Sequence, residues 1–156
     1  MNIIHHFRNS VTIGFVVLFS FLEINGLSAQ TVWLDELDLS AATQGYGVPM
    51  KNKSIDGKTL TIAGKTFERG FGSHSESSIT ILLEGKATLF TAQVGIDDEV
   101  KGQRPAAEFV LYGDNKKLWS SGVMHLGNAA KACSVKLDGV MKLELLVTDG
   151  GNGNYY

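Results

Sequence analysis

The sequence predicts an all-β domain built as an antiparallel β-sandwich, and three observations indicate this fold. Short runs of alternating apolar and polar residues recur after Gln30, whereas a long run with helical periodicity is hard to find. Glycine, aspartate or asparagine bounds these runs, and the chain has 18 glycines but only 2 prolines. Closely spaced turns favour such residues, and strands without intervening helices indicate antiparallel pairing rather than a parallel sheet.

About eight strands are predicted at short and regular spacing. The first two form a hairpin over Thr59–Phe67 that turns at Ala63-Gly64-Lys65. A second hairpin has the turn sequence Gly113–Lys116, and Asp138-Gly139 separates the last two strands. Besides the first hairpin, the predicted strands cover 78–83, 88–94, 108–112, 117–120, 132–137 and 142–148. Only Asp35–Ala42 is predicted to form a short helix.

Residues 1–29 are predicted to form a cleaved signal peptide. A segment with a basic residue and no acidic one precedes an apolar core over 11–22, and Ser28-Ala29 precedes the expected cut. Because this core is shorter than the about 20 apolar residues that span a bilayer, cleavage is favoured over a membrane anchor. Residues 30–156 then form one domain, which is expected to be secreted or periplasmic.

Composition and size exclude several classes of protein. With 14 basic and 16 acidic residues the net charge is −2, which gives no basic surface for nucleic acid or an anionic membrane. The chain is too short for a (β/α)₈ barrel, which needs about 250 residues. Cys133 is the only cysteine, so an internal disulfide is excluded. Its place in an alternating run predicts a buried, unreactive thiol.

Seven segments of the chain resemble one known family in their order and spacing. They are WLDEL at 33–37, QGYG at 44–47, LTIAGKTFERGFGSH at 60–74, VGIDDEV at 94–100, VLYGD at 110–114, LWSSGVM at 118–124 and LVTDGGNGNYY at 146–156. Together they resemble the NPCBM domain, carbohydrate-binding module family 51, over nearly all of residues 30–156. The resemblance implies a jelly-roll-like sandwich that binds galactose-containing or related glycans and is not itself an enzyme.

Within this family, the sequence resembles the N-terminal module of secreted bacterial α-galactosidases. This similarity implies a glycoside hydrolase catalytic domain as the partner, in the same or a parent polypeptide. Family members usually continue past the Asn-Tyr segment with an Asp-His-Ala-Asp-Trp-like stretch and a closing strand, whereas this sequence stops at Tyr156. We therefore expect a sandwich that lacks its last strand.

A sugar site needs an aromatic platform for the C–H face of the ring and a few hydrogen-bonding groups for the hydroxyls. Tyr46 lies between two glycines, and His74 lies in a Gly-rich loop and matches a histidine of the family, although it could serve only to hold the loop. Arg104 offers a forked donor. Trp119 follows a hairpin turn, where burial and exposure of its side chain are equally expected. The candidate sugar-binding residues are Tyr46, His74, Arg104, Trp119, Asn152 and Tyr155.

The densest acidic run, Asp97-Asp98-Glu99, allows two interpretations. Its oxygen ligands suit a structural Ca²⁺ ion, with Asp149 or the carbonyls of the following glycine-rich loop completing the shell. Alternatively, the carboxylates accept hydrogen bonds from the backbone of a turn. The tentative metal ligands are Asp97, Asp98 and Asp149, and no cofactor is required.

A non-catalytic module that recognises galactose-type glycans and targets an attached glycoside hydrolase is the leading functional hypothesis. One alternative is a structural or protein-interaction sandwich that packs against a catalytic domain. Another is the N-terminal fragment of an α-galactosidase-like glycosidase. Catalysis by residues 30–156 alone is disfavoured, because a small sandwich rarely builds the cleft that two catalytic carboxyls require.

Overall fold

Antiparallel β-strands dominate the computed structural model, which describes residues 12–13, 30–100 and 105–151. The strands are β1 (Thr12–Ile13), β2 (Thr43–Gln44), β3 (Met50–Lys51), β4 (Leu60–Ile62), β5 (Lys65–Phe67), β6 (Phe71–Gly72), β7 (Ser77–Leu82), β8 (Leu89–Val94), β9 (Ala106–Gly113), β10 (Lys116–His125), β11 (Lys131–Lys136) and β12 (Lys142–Thr148). Within these described residues, a single turn of 3-10 helix at Leu34–Glu36 is the only helix. The predicted all-β class is therefore confirmed.

The main sheet has five antiparallel strands in the order β10-β9-β12-β7-β2. Leu145 of the central strand β12 pairs with Leu111 of β9 on one side and with Ile79 of β7 on the other. Burial alternates along β12, where Leu143, Leu145 and Val147 are buried and their neighbours are partly exposed. The period-two pattern of the sequence thus turns one face of the sheet towards the core.

Strands β8 and β11 form a second antiparallel layer. Phe90, Ala92 and Val94 of β8 belong to the same buried cluster as the inward residues of the main sheet. Cys133 of β11 pairs with Ala92 and is buried, and this burial raises the pKa of its thiol to about 12. The predicted sandwich of two packed layers and the predicted buried cysteine are both confirmed.

The β4–β5 hairpin forms a separate two-stranded sheet with a small core of its own, Leu60, Ile62 and Phe67. Ala63 and Gly64 connect the two strands with φ angles of 48° and 77°. Two successive residues at positive φ are typical of the two-residue turns that match the twist of a hairpin. The predicted hairpin is confirmed, although Lys65 belongs to β5 and not to the turn.

Two predicted elements differ from the structure by more than two residues at one end, and the two-residue strands β2, β3 and β6 were not predicted. Strand β10 continues to His125 beyond the predicted end at Ser120, because register shifts along the β9–β10 pair let the strand bend and remain paired. The prediction of a short helix over 35–42 is wrong beyond its first residues, because the helical turn ends at Glu36. Asp38 instead accepts a hydrogen bond from the backbone N–H of Ser40, which offers the chain a local turn in place of a helix.

Most of the predicted signal segment, residues 1–29, lies outside the described residues. Its described part is the backbone of β1, which pairs with β6 in a three-stranded sheet of order β1-β6-β3. Within the described part of the chain, no helix is both long enough and apolar enough to cross a membrane.

Candidate functional site

Tyr46 and His74 meet at the β2 edge of the main sheet. Tyr46 lies in the loop between β2 and β3, and His74 lies in the loop between β6 and β7. Their ring centroids are 5.6 Å apart, and the ring planes are inclined by 59°. The Tyr46 side chain is 53% exposed, whereas His74 is buried. Two sequence-predicted site residues from distant parts of the chain therefore meet at one place, the Tyr46–His74 surface, where an exposed aromatic ring lies beside a buried imidazole.

Main-chain and side-chain hydrogen bonds hold these two loops together. The backbone N–H of Gly45 donates to the carbonyl of Glu76 at 2.9 Å. The side chain of Gln44 accepts a hydrogen bond from the N–H of His74 at 3.0 Å and donates to the carbonyl of Tyr46 at 2.7 Å. Gln44 was not among the predicted site residues, although it directly precedes the Gly-Tyr-Gly sequence.

The base of the His74 loop is closed by buried contacts. The hydroxyls of Ser73 and Ser77 are hydrogen-bonded at 2.9 Å, and both residues are buried. A Cβ atom at Gly72 would collide with the backbone at Lys53, so glycine permits the close approach of these two segments. The histidine thus extends from a loop whose start is anchored in the packed interior.

The imidazole of His74 has a defined hydrogen-bonding capacity. Its Nδ1 atom contacts the carbonyl oxygen of Ser75. Because a carbonyl oxygen only accepts hydrogen bonds, Nδ1 is the donor in this contact. In the neutral tautomer that carries its proton on Nδ1, Nε2 is an acceptor, which is the role needed to bind a hydroxyl group.

Trp119 lies at the opposite edge of the main sheet from Tyr46. It belongs to β10, and three strands separate β10 from β2 in the sheet order. At a strand spacing of about 4.8 Å, the two outer strands are about 19 Å apart. Trp119 is half-buried and packs against the core. The structure therefore does not bring Trp119 together with Tyr46 and His74, and a sugar contact by Trp119 stays a prediction.

Three other predicted contacts, Arg104, Asn152 and Tyr155, lie outside the described residues. Their roles in sugar binding stay predictions.

The acidic run turns inward onto the β4–β5 hairpin. Asp97 is only 1% exposed, and its carboxylate accepts hydrogen bonds from the N–H groups of Thr61 at 2.7 Å and Glu99 at 2.8 Å. The carboxylate of Asp98 accepts from the N–H groups of Ala63 and Gly64, at 2.9 Å and 2.7 Å. Loss of solvent raises the pKa of Asp97, and the two backbone hydrogen bonds oppose that shift.

These contacts match the turn-stabilising interpretation of the acidic run. The carboxylate of Asp149 accepts the N–H of Gly151 at 2.8 Å in a different loop. Across the ranges 30–100 and 105–151, no three His, Cys, Asp or Glu side chains are placed so that they could hold a metal ion. The structure thus does not assemble Asp97, Asp98 and Asp149 into one group, and calcium binding stays an untested prediction.

A second polar cluster, built on Asp35 and Arg69, fixes the start of the domain next to β6. The Arg69 guanidinium contacts the Asp35 carboxylate at 2.8 Å and lies 4.6 Å from the ring centre of Trp33. The side-chain amide of Asn52 donates to Asp35 at 3.0 Å, while its oxygen accepts the N–H of Gly70 at 2.9 Å. Trp33 is thus held to this cluster by its contact with Arg69.

The Asp35–Arg69 cluster also shifts the pKa of its carboxylate. The Asp35 side chain is only 9% exposed, and this burial by itself would raise its pKa. Hydrogen bonds from Arg69 and Asn52 outweigh burial and lower the pKa below its ordinary value of 3.8. Sequence reasoning missed this pairing, although both partners lie in the segments 33–37 and 60–74 that resemble the family.

Comparison with known proteins gives a family and two curated relatives. The NPCBM/NEW2 domain matches residues 30–156. A protein of Renibacterium salmoninarum named as an endo-alpha-N-acetylgalactosaminidase is 40% identical over 103 residues, which are 64% of this chain and 7% of the relative. An alpha-1,3-galactosidase B of Akkermansia muciniphila is 32% identical over 116 residues, 72% of this chain and 14% of the relative. The chain therefore spans only a small part of either relative.

A solved structure extends the comparison to the fold. The CBM51 module of Clostridium perfringens GH95, determined in complex with methyl-galactose, is 35% identical to this chain. The match has a TM-score of 0.71 and covers 78% of this chain and 89% of that module. Together with the family match over residues 30–156, this agreement shows that the chain belongs to the NPCBM/NEW2 domain family, the non-catalytic carbohydrate-binding modules of family 51.

Proposed function

We propose that residues 30–156 bind a galactose-type glycan at the Tyr46–His74 surface and thereby hold an attached glycoside hydrolase near its substrate. The observation that carries this proposal is the exposed Tyr46 ring, 5.6 Å from the His74 ring, on two loops that are hydrogen-bonded to each other. Membership of a non-catalytic family means that the domain contributes binding and not bond cleavage.

The chemistry of a galactose ring suits this surface. One face of the ring presents C–H groups, which pack on an exposed aromatic ring, while its hydroxyls need acceptors and donors at the rim. Tyr46 supplies the apolar face, and Nε2 of His74 supplies an acceptor beside it. The module solved with methyl-galactose and the relatives named as an endo-alpha-N-acetylgalactosaminidase and an alpha-1,3-galactosidase support a galactose-type ligand.

Weak binding is sufficient for a targeting role. A shallow site that contacts one or two sugar rings gives a Kd of about 0.01–1 mM, because so few heavy atoms are buried. A catalytic domain tethered to the module gains from the raised local concentration of glycan. Export through a cleaved signal over residues 1–29 belongs to the same proposal, because it would bring the module to glycans outside the cell.

The test is a titration of the full chain with methyl-galactoside and methyl-glucoside, followed by NMR or calorimetry. We expect saturable galactoside binding that Tyr46→Ala weakens by about tenfold, since a stacked ring contributes about 1 kcal/mol or more. Met141→Ala is the matched control, because Met141 is also a large, 55% exposed side chain but lies beside the main sheet's β12. Its affinity should equal that of the wild type.

Two results would contradict the proposed function. The first is no binding of any galactoside at millimolar concentration. The second is galactoside binding that is unchanged in Tyr46→Ala. If that variant alters instead the stability or activity of an attached catalytic domain, the protein-interaction role explains the surface better.

A further inference from the structure

Gln44 is the side chain that connects the two halves of the Tyr46–His74 surface. It ends strand β2, where its backbone pairs with Ser77, and its side chain is half-buried. One end of its amide binds the backbone of the His74 loop, and the other end binds the backbone of the Tyr46 loop. A single side chain therefore connects the two loops that carry the Tyr46 and His74 rings.

The chemistry at this position requires an amide. The N–H of His74 needs an acceptor, at 3.0 Å, and the carbonyl of Tyr46 needs a donor, at 2.7 Å. The amide of Gln44 presents an acceptor at one end and a donor at the other, and only one of its two orientations satisfies both neighbours. Glutamate would satisfy His74 but would place an oxygen against the Tyr46 carbonyl.

The Tyr46 loop needs such support because its own side chains hold it weakly. Tyr46 and Val48 are largely exposed, at 53% and 75%, so packing restrains them little. Gly47 adopts a φ of 73°, and glycine at this position leaves the unfolded loop especially free. The bond from Gln44 to the Tyr46 carbonyl acts directly on the residue that carries the platform ring.

We propose that Gln44 is a positioning residue of the sugar site, which sets the spacing of the Tyr46 and His74 rings without contacting the sugar. The part of this proposal that concerns affinity rests on the proposed function. The part that concerns ring spacing does not, so the two are tested by separate measurements.

The experiment replaces Gln44 with methionine in the full chain. Gln44→Met keeps the length and approximate shape of the side chain but removes both hydrogen bonds. With labelled tyrosine and histidine, the wild type should show a nuclear Overhauser contact between the Tyr46 and His74 rings, and the variant should lose it. Galactoside affinity should fall by about tenfold, since a site loosened by about 1 Å binds poorly.

Two further variants complete the design. Gln93→Met is the matched control, because Gln93 is a half-buried glutamine on β8 of the other layer. It should keep both the ring contact and the affinity. Gln44→Glu retains the acceptor for His74 and removes the donor for Tyr46, so it should also lose the ring contact, and it replaces Gln44→Met if that variant does not fold.

The outcomes separate the two proposals. A ring contact that persists in folded Gln44→Met or Gln44→Glu overturns the positioning role, and a loss of affinity in that case means that Gln44 touches the sugar itself. A ring contact that is lost while the wild type binds no galactoside supports the positioning role and overturns the proposed function. Loss of both contact and affinity supports both.

Discussion

The Tyr46–His74 surface and the Asp97–Glu99 run are both polar loops at strand ends, yet they use their functional groups in opposite ways. In the acidic run, both Asp97 oxygens and both Asp98 oxygens accept backbone N–H groups of neighbouring segments. At the other surface, the hydrogen bonds that hold the loops come mainly from backbone groups and Gln44, and the Tyr46 ring faces solvent. A cluster whose polar atoms are satisfied within the protein stabilises the fold, whereas one that leaves groups accessible can bind a ligand.

Asp97→Ala should produce the largest effect among the variants that test this comparison. It removes a buried carboxylate that accepts the N–H groups of Thr61 and Glu99, so the free energy of unfolding should fall by about 3 kcal/mol. Chemical denaturation measures this loss, with the exposed turn residue Asp138→Ala as the control. Galactoside affinity per folded molecule should not change. An affinity loss as large as that of Tyr46→Ala would mean that the acidic run contributes to the sugar site.

His74→Ala should give the next largest effect, which is a loss of galactoside affinity. A sugar hydroxyl would lose the acceptor at Nε2, and affinity should fall by about tenfold, which corresponds to about 1.4 kcal/mol. The exposed His125 at the end of β10 provides the control, and His125→Ala should bind as the wild type does. Titration of the two variants side by side measures this difference. Equal affinities of the two variants would assign His74 only to holding its loop.

Acid should weaken the Asp35–Arg69 cluster. The pKa of folded Asp35 lies below 3.8, its ordinary value, so the cluster contributes its full stability above about pH 3.8. That contribution is lost as pH falls from 3.8 through the lower folded pKa. Asp35→Asn should therefore lower Tm by a few degrees at pH 7 and by less at pH 3. A difference in Tm that grows on acidification would contradict the lowered pKa.

Removal of divalent cations should have the smallest effect. The oxygens of Asp97 and Asp98 already accept four backbone hydrogen bonds, so a calcium ion would have to displace N–H donors. We expect Tm to shift by less than about 1 °C between EDTA and millimolar Ca²⁺, by differential scanning calorimetry. A calcium-dependent rise of several degrees would revive the metal site predicted at Asp97, Asp98 and Asp149.

Local patterns in the sequence predicted the elements whose structure depends on local forces. The strand predicted over 142–148 coincides with β12. Buried and partly exposed residues alternate along the whole of this strand, so the period-two pattern of the sequence marks both of its ends. The hairpin at Ala63-Gly64 was predicted because its turn chemistry lies within a few residues. The helix predicted over 35–42 ends after its first turn, because Asp38 accepts a hydrogen bond from the N–H of Ser40, and the hydrophobic pattern does not reveal this competing turn.

The candidate site was predicted only in part, for the same reason. Tyr46 and His74 were identified as residues of suitable chemistry in Gly-rich loops, but four strands, β3 to β6, separate them along the chain. Nothing local showed that their rings meet, that Gln44 joins their loops or that Trp119 lies at the other edge of the sheet.

The sequence by itself determined the class of fold, its family and the types of side chain available for binding sugar. These depend on alternation, turn residues and ordered motifs, which act over a few residues and can be read along the chain. The tertiary structure decided which of those side chains are neighbours and which are consumed by internal hydrogen bonds. Strand order and burial set these relations, and both arise from packing between segments that are distant in sequence.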